Sequence, residues 1–384
     1  MLKILHTGDL HLDSPLSSLD FSVAERIRDE QRHTFEKMMR YAIENNIDMV
    51  LIAGDLFDSK YVSANTKELV VSLFDEFKKP IIIAPGNHDP YSLVPLYRSG
   101  ALPQNVFVFS SEEVQRFDFD ELDVSVFGYA FVTPSLEYSP LANYTFAVMG
   151  NSIRLLCAHA DTTSPVSKYA PVSVSDIERF DFDYAALGHV HNPPQIDSQR
   201  TSINYCGFLF GRSFDELGDG GAYVVSIDGE KASSERVNFS EHCFLREELD
   251  VSGVSSTEEI SNKISEYIIS KGYGKNVSLR LTLIGSVPFE IIINEKALEV
   301  SSKEVFELQI RNNTFPTHDS DYLMRDPSLR GELYRTLLPK LSSNDSEERQ
   351  CATKALRLGL CAIDGVSLTS ILGLDENELS GGAV

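Results

Sequence analysis

Positive charge is scarce in this 384-residue chain: 34 lysines and arginines stand against 57 aspartates and glutamates, a net charge of −23. Polyanion binding normally draws on counterion release by basic side chains. The isolated chain is therefore expected to hold a polyanion weakly, unless basic residues cluster, bound cations recruit the phosphates or a basic partner contributes. Solubility or a high-salt habitat would equally explain the acidity. Long apolar runs are also missing. No stretch of about 18 apolar residues occurs, which excludes a membrane-spanning helix. A strand is expected from Lys3-Ile4-Leu5, so no signal peptide is expected. The five cysteines (Cys157, Cys206, Cys243, Cys351 and Cys361) are odd in number and scattered. They read as reduced core thiols of a cytoplasmic protein, not as a disulfide framework. There is no internal repeat and no P-loop, which excludes ATP hydrolysis by that route.

What is present lies in five short segments: Asp9-Leu10-His11, Gly54-Asp55-Leu56-Phe57-Asp58, Gly86-Asn87-His88-Asp89, Ala158-His159-Ala160 and Gly188-His189-Val190-His191. Each follows a short apolar run: Ile4-Leu5, Met49 to Ala53, Ile81 to Ala84, Ile153 to Cys157 and Tyr184 to Leu187. Such runs, bounded by turn residues, read as buried strands, and loops at strand carboxyl ends commonly carry functional side chains. The plain alternative is five unrelated turns with core histidines; the ordered recurrence at five strand ends weighs against it. Asp9, His11, Asp55, Asn87, His159, His189 and His191 offer oxygen and imidazole but no thiolate, a set that favours Mn, Fe or Zn. Seven ligands exceed one tetrahedral ion and suffice for two ions that share Asp55. A pair of ions ~3.5–4 Å apart can clamp the attacking and leaving oxygens of a phosphoryl displacement. His88 is placed to protonate the leaving oxygen or steady the charged transition state, with Asp89 orienting its ring.

These residues resemble the calcineurin-like metallophosphoesterase superfamily. More closely, Ile4-Leu5-His6-Thr7-Gly8-Asp9-Leu10-His11-Leu12-Asp13-Ser14-Pro15, Ile52-Ala53-Gly54-Asp55-Leu56-Phe57-Asp58 and Pro85-Gly86-Asn87-His88-Asp89 are similar to SbcD-type DNA repair exonucleases. The His-Leu-Asp-Ser-Pro variant points to the YhaO-like branch. The resemblance covers residues 1 to about 215. It implies that Asp9, His11, Asp55 and His191 hold one metal, that Asp55, Asn87, His159 and His189 hold the other, and that His88 is the catalytic histidine. It also implies two divalent ions, usually Mn, with Fe, Zn or Mg as alternatives. Some relatives carry His where this chain has Asp58, so the role of that position stays open. Cys157-Ala158-His159-Ala160-Asp161 departs from the commoner His-Gly pattern but keeps the ligand histidine.

The expected fold is α/β: a two-sheet metallophosphoesterase sandwich flanked by helices, with a smaller α+β capping domain and C-terminal helices. The expected domains are 1–239 (catalytic), 240–320 (cap) and 321–384 (a helical partner-docking segment). Helices are predicted within 16–47, from Asn65 to Phe77, Thr257 to Ser270, Glu332 to Leu341 and Glu347 to Leu360. Residues 131–150 read as a loop and surface helix, and Thr162 to Val174 as a mobile loop near the site. Phe289 to Val300 permits strand or helix. His33, His242 and His318 lack neighbouring ligands and read as structural. Gly381 to Val384 reads as disordered. Gly207 to Arg212 either faces substrate, or buries its aromatics while Arg212 pairs with Asp215 or Glu216.

The leading expectation is a DNA phosphodiesterase, a nuclease subunit in DNA repair that works by metal-activated hydroxide attack with an SbcC-like SMC-type ATPase. A metallophosphoesterase for small phosphodiesters, nucleotides or phosphoproteins is the second reading. A partner-binding scaffold with a vestigial site is the third. DNA, the ATPase and a second copy of the chain are candidate partners; no membrane is expected.

Overall fold

In the computed structural model every residue is described except 18–20, 59–61, 146–151, 195, 230, 289–290, 292, 318–319 and 366–384. Two units result, Met1–Cys243 and Phe244–Val384. The first contains β1 (Leu2–Thr7), α1 (Phe21–Glu44), β2 (Met49–Ile52), α2 (Ala64–Phe77), β3 (Ile81–Ile83), β4 (Val106–Val108), β5 (Gln115–Phe119), β6 (Val124–Gly128), β7 (Ile153–His159), α3 (Val174–Glu178), β8 (Tyr184–Gly188), β9 (Ser202–Tyr205), β10 (Gly221–Asp228) and β11 (Lys231–Asn238). They form a six-stranded sheet, β11-β10-β1-β2-β3-β4, and a five-stranded sheet, β5-β6-β7-β8-β9. β1 to β4 pair in parallel, as do β6 to β9, so the motif loops leave the carboxyl ends of aligned strands.

The strand period of two sorts the apolar side chains into layers. Ile4, Met49, Leu51 and Ile82 face inward and meet Val126, Leu155, Cys157, Tyr184 and Ala186 of the second sheet. Leu5, Val50, Ile52, Ile81 and Ile83 face outward, against Phe35, Met38, Met39 and Ala42 of α1 and Val70, Leu73, Phe74 and Phe77 of α2. The outer face of the second sheet carries Phe127, Leu156, Ala185 and Leu187, packed on Ile177, Phe180 and Phe182. The result is a two-sheet sandwich covered by helices. His6 is a polar exception inside it: Nδ1 lies 2.9 Å from the Tyr184 hydroxyl and Nε2 3.2 Å from the Leu187 carbonyl of the other sheet. Burial lowers its pKa to about 3, so it is neutral.

Two features differ from expectation. Residues 131–145 form turns and no helix, because Pro134 and Pro140 cut the stretch too short; 146–150 lie outside the described residues. β11 is a largely polar strand at a sheet edge, where no apolar alternation is needed, while β5, at the edge of the other sheet, alternates only Phe117 and Phe119 with polar residues.

The second unit contains β12 (Cys243–Asp250), α4 (Thr257–Ser270), β13 (Val277–Ile284), β14 (Ser286–Pro288), α5 (Glu295–Ser301), β15 (Glu307–Asn312), β16 (Phe315–Thr317), α6 (Ser320–Arg325), α7 (Leu329–Leu341) and α8 (Ser346–Ile363). Its sheets are β12-β13-β15 and β14-β16. Ser256 caps α4 by accepting from the Glu259 N–H, and Ile260, Ile264 and Ile268 bury one face. The ambiguous 289–300 stretch holds α5, capped by Asn294; residues 289, 290 and 292 lie outside the described residues. So do His318 and Gly381 to Val384. α6, α7 and α8 fall within this unit; α7 packs on α8, and α8 touches β16. Among the described residues no helix is long and apolar enough to cross a membrane.

Candidate metal centre

The loops after β1 and β2 run side by side beyond the end of the sheet. Asp9 N–H donates to the Gly54 carbonyl at 3.0 Å, and His11 N–H to the Asp55 carbonyl at 2.9 Å. This path needs unusual backbone: Asp9, His11, Asp55 and His189 have φ of 47°, 48°, 50° and 104°. Side chains other than glycine pay strain there, and such strain concentrates at functional sites. Gly54 is required, since a Cβ on it would lie 2.3 Å from the His159 ring at φ +90°.

Six of the seven expected ligands converge. His191 Nε2 lies 3.2 Å from His11 Nε2 and 3.7 Å from Asp9 Oδ1. Asp55 Oδ2 lies 3.7 Å from His11 Nε2 and 3.4 Å from His159 Nε2, so one carboxylate faces both halves of the group. His159 Nε2 is 2.9 Å from Asn87 Oδ1. His189 is held differently. Its backbone N–H donates to both Asp9 oxygens at 3.1 and 2.9 Å, and its ring lies edge-on to His159 with centroids 5.1 Å apart. Among the described residues the tight ligand clusters are Asp9–His11–His191, Asp9–Asp55–His159 and His11–Asp58–His88, none of which includes His189.

The donor set fits a divalent cation. His159 Nδ1 donates to the Ala53 carbonyl at 3.0 Å, which leaves the Nε2 lone pair facing the Asn87 oxygen. Two acceptors held face to face repel one another unless a cation satisfies both. His191 is oriented in the same manner, with Nδ1 2.7 Å from Glu216 Oε1. The His11 Nδ1 stands 3.5 Å from Asp58 Oδ1 without hydrogen-bond geometry. Burial lowers His11 below its ordinary pKa, so its nitrogen lone pair is available. Burial would raise Asp55, but the imidazoles of His159, His11 and His88 outweigh it and keep the carboxyl ionised.

His88 is the half-exposed imidazole of the group, edge-on to His11 with centroids 4.8 Å apart. Its orienting partner is Asp58, whose Oδ1 lies 2.5 Å from His88 Nδ1, and not Asp89. That hydrogen bond raises the His88 pKa. Asp89 turns inward and is fully buried. It accepts from the backbone N–H groups of Gly86, Asp55, Leu56 and Phe57 at 2.8, 3.1, 2.8 and 3.3 Å, and from the Tyr97 hydroxyl at 2.5 Å. Its role is to lock two motif loops together. Asp58 also accepts from Ser14 Oγ at 2.5 Å and from Arg212 Nη1 at 3.1 Å. Arg212 binds Glu216 through Nη2 at 2.5 Å and Nε at 3.1 Å, while Phe208, Leu209 and Phe210 are buried. The Gly207–Arg212 stretch thus serves packing and an internal ion pair. Sequence reasoning missed Glu216 as the partner of His191 and Cys206, whose thiol donates to Asp9 Oδ2 at 3.3 Å. No motif marks either; each is brought in by tertiary folding.

Residues 2–213 match the family described as calcineurin-like phosphoesterase. The chain is 26% identical to the uncharacterized metallophosphoesterase YhaO of Bacillus subtilis, over 75% of this chain and 72% of that one. It is 25% identical to the SbcD component of the SbcCD nuclease of Staphylococcus epidermidis, over 61% of this chain and 68% of that one. A solved Thermus thermophilus structure matches 61% of this chain and 98% of its own at 12% identity, with a TM-score of 0.39, too loose a likeness to carry an argument. The family match spans more than half of the 384 residues and contains the strand-end loops that bring aspartate, asparagine and histidine together, so the protein belongs to the calcineurin-like phosphoesterases and is a metal-dependent phosphoester hydrolase.

Proposed function

We propose that the protein is a two-metal phosphodiesterase acting on DNA, a nuclease subunit that works in the cytoplasm in DNA repair. Asp9, His11, Asp55 and His191 would hold one divalent ion, and Asp55, Asn87, His159 and His189 the other, with Mn favoured by the oxygen and imidazole donors. Such ions neutralise phosphodiester charge and make water acidic enough to attack near neutral pH. The observation that carries the reading is Asp55, whose Oδ2 lies within 3.7 Å of imidazole nitrogens on both sides. His88, exposed and held through Nδ1 by Asp58, keeps its other ring nitrogen to give a proton to the departing oxygen. Asp58, Arg212 and Glu216 hold the imidazoles of His88 and His191 in orientation.

The similarity to a component of the SbcCD nuclease supports DNA as substrate and an SbcC-like ATPase as partner. The second reading, hydrolysis of small phosphodiesters, is favoured by the net charge of −23. The test is hydrolysis of linear duplex DNA beside bis-p-nitrophenyl phosphate, with Mn²⁺ and with chelator. Metal-dependent degradation of DNA supports the nuclease. Turnover of the small ester with intact DNA, in the presence of the ATPase as well, transfers the assignment to the second reading.

A further inference from the structure

The carboxylate of Asp9 is gripped more tightly at one oxygen than at the other. The His189 backbone N–H straddles it, donating to Oδ1 at 3.1 Å and to Oδ2 at 2.9 Å. That grip alone leaves the two oxygens almost alike. The Cys206 thiol breaks the symmetry by donating to Oδ2 at 3.3 Å. Among the described residues Oδ1 receives no second hydrogen bond, and it lies 3.7 Å from His191 Nε2.

Cys206 is pinned from both sheets. It follows β9. Its N–H donates to the Leu187 carbonyl of β8 at 2.9 Å, and its carbonyl accepts from Arg236 Nη1 of β11 at 2.7 Å. Arg236 Nη2 also reaches the Phe208 carbonyl at 3.3 Å. The Cys206 side chain is fully buried, with little room beside it: a Cβ on Gly8 would stand 2.9 Å from the sulfur. The thiol has one proton and two acceptors at 3.3 Å, Asp9 Oδ2 and the Gly207 carbonyl. The carboxylate is the stronger acceptor, because hydrogen bonds to ionised groups are roughly twice as strong as neutral ones. The backbone contacts would hold any residue here. The contact to Asp9 is what separates a thiol from an apolar side chain of its size.

We infer that Cys206 is a positioning residue for the metal centre: its thiol holds Asp9 Oδ2 back and leaves Oδ1 as the oxygen offered to the ion that Asp9 shares with His11 and His191. The inference rests on the two-metal reading and deepens it. A carboxylate already fixed with one oxygen forward loses less freedom on binding an ion than one that rocks between two. The effect therefore falls first on metal affinity. Removing a group that orients a ligand usually costs about 10- to 100-fold in that affinity.

The experiment titrates Mn²⁺ into the metal-free full chain by calorimetry and follows bis-p-nitrophenyl phosphate turnover against Mn²⁺ concentration. Cys206→Ala is expected to weaken Mn²⁺ binding about 10- to 100-fold, with kcat recovering as Mn²⁺ saturates. Cys206→Ser keeps a donor and should bind Mn²⁺ close to wild type. Gly8→Ala keeps the thiol but displaces it, and should weaken binding as well. The double variant Gly8→Ala, Cys206→Ala should be no weaker than Cys206→Ala alone, because both changes break one contact. Wild-type affinity in Cys206→Ala, affinity in Cys206→Ser as low as in Cys206→Ala, or additive losses in the double variant would each overturn the assignment. If Cys206→Ala fails to fold, the other two single variants decide: a loss in Cys206→Ser, or none in Gly8→Ala, overturns it. Asp9→Ala separates the inference from the reading beneath it. Loss of Mn²⁺ in Asp9→Ala beside wild-type binding in Cys206→Ala removes the role of the thiol alone. Wild-type Mn²⁺ binding in Asp9→Ala removes Asp9 as a ligand, and the role of the thiol with it.

Discussion

Arg212 Nη1 lies 3.1 Å from Asp58 Oδ2, while the other edge of the same guanidinium grips Glu216. Asp58 holds His88 and Glu216 holds His191, so one half-buried arginine ties the exposed imidazole to a ligand-type imidazole. Both carboxylates already occupy the guanidinium, which leaves it poorly placed to bind a phosphate directly. Arg212→Leu is expected to lower metal affinity and kcat by about 10- to 100-fold, the usual consequence of removing groups that orient ligands. Arg212→Lys should recover only part of this, because an ammonium cannot reproduce the two-edged geometry. Metal titration beside bis-p-nitrophenyl phosphate turnover reads both effects; unchanged metal affinity in Arg212→Leu would remove the link.

Asp55 faces imidazole nitrogens on both sides of the centre. Asp55→Asn is expected to reduce bound metal and abolish phosphodiesterase activity, because a neutral amide cannot bridge two cations as a carboxylate does. Metal analysis of the purified variant is the check. Full occupancy with retained turnover would rule out a shared ligand.

His88 and Asp89 are neighbours in sequence with opposite duties. His88→Ala should keep bound metal and fold while losing about 10²- to 10⁴-fold in turnover, the usual contribution of positioned proton transfer. Asp89→Leu should instead lose stability, since it strands four backbone N–H groups and the Tyr97 hydroxyl, each orphan costing about 1–3 kcal/mol. Urea unfolding together with turnover separates them. Loss of metal in His88→Ala would make His88 a ligand.

The contrast shows what could be read in advance. The strand-end loops meet because parallel strands deliver them to one edge, and short apolar runs followed by Asp, Asn or His are visible locally. Asp89 defeats a local reading because consecutive residues of a tight turn point in different directions, and adjacency to His88 says nothing of which way a carboxylate faces. Glu216 and Cys206 reach His191 and Asp9 only through tertiary packing. β11 is hidden for another reason: Lys231–Asn238 lies at a sheet edge and shows no apolar alternation. Proline decides 131–145, where Pro134 and Pro140 outweigh local helix signals.

His6 makes stability depend on pH. Its folded pKa is lowered to about 3 from 6.5, chiefly by burial, so the unfolded chain takes up a proton that the folded chain refuses. The contribution is complete above about pH 6.5 and falls away as pH drops toward 3, at about 1.4 kcal/mol per pH unit. Between pH 6.5 and 5 this residue alone should cost about 2 kcal/mol. His6→Asn removes the titration, so its urea midpoint should fall less over that interval than that of wild type. Parallel pH dependence in the two proteins would show that His6 takes up no proton on unfolding.

Partner docking is best tested by surface substitution. Deleting everything after residue 320 would disrupt the second unit, because α8 touches β16 and buries Ala352, Leu360 and Cys361. Tyr322, Met324 and Leu329 are a better target: they are 60%, 44% and 68% exposed at the start of the helical segment. Exposed large apolar side chains that form a patch mark interaction surfaces, and these three are the candidates in this segment. Replacing all three with serine should weaken association with an SbcC-like ATPase at least 10-fold in a pull-down or titration, and leave bis-p-nitrophenyl phosphate turnover unchanged. The charge of the chain adds a second readout. With a surplus of 23 negative charges, the isolated protein should bind DNA weakly and lose that binding steeply with salt, and the ATPase should restore it in wild type but not in the triple variant. Undiminished ATPase binding by the triple variant would place docking elsewhere on the chain.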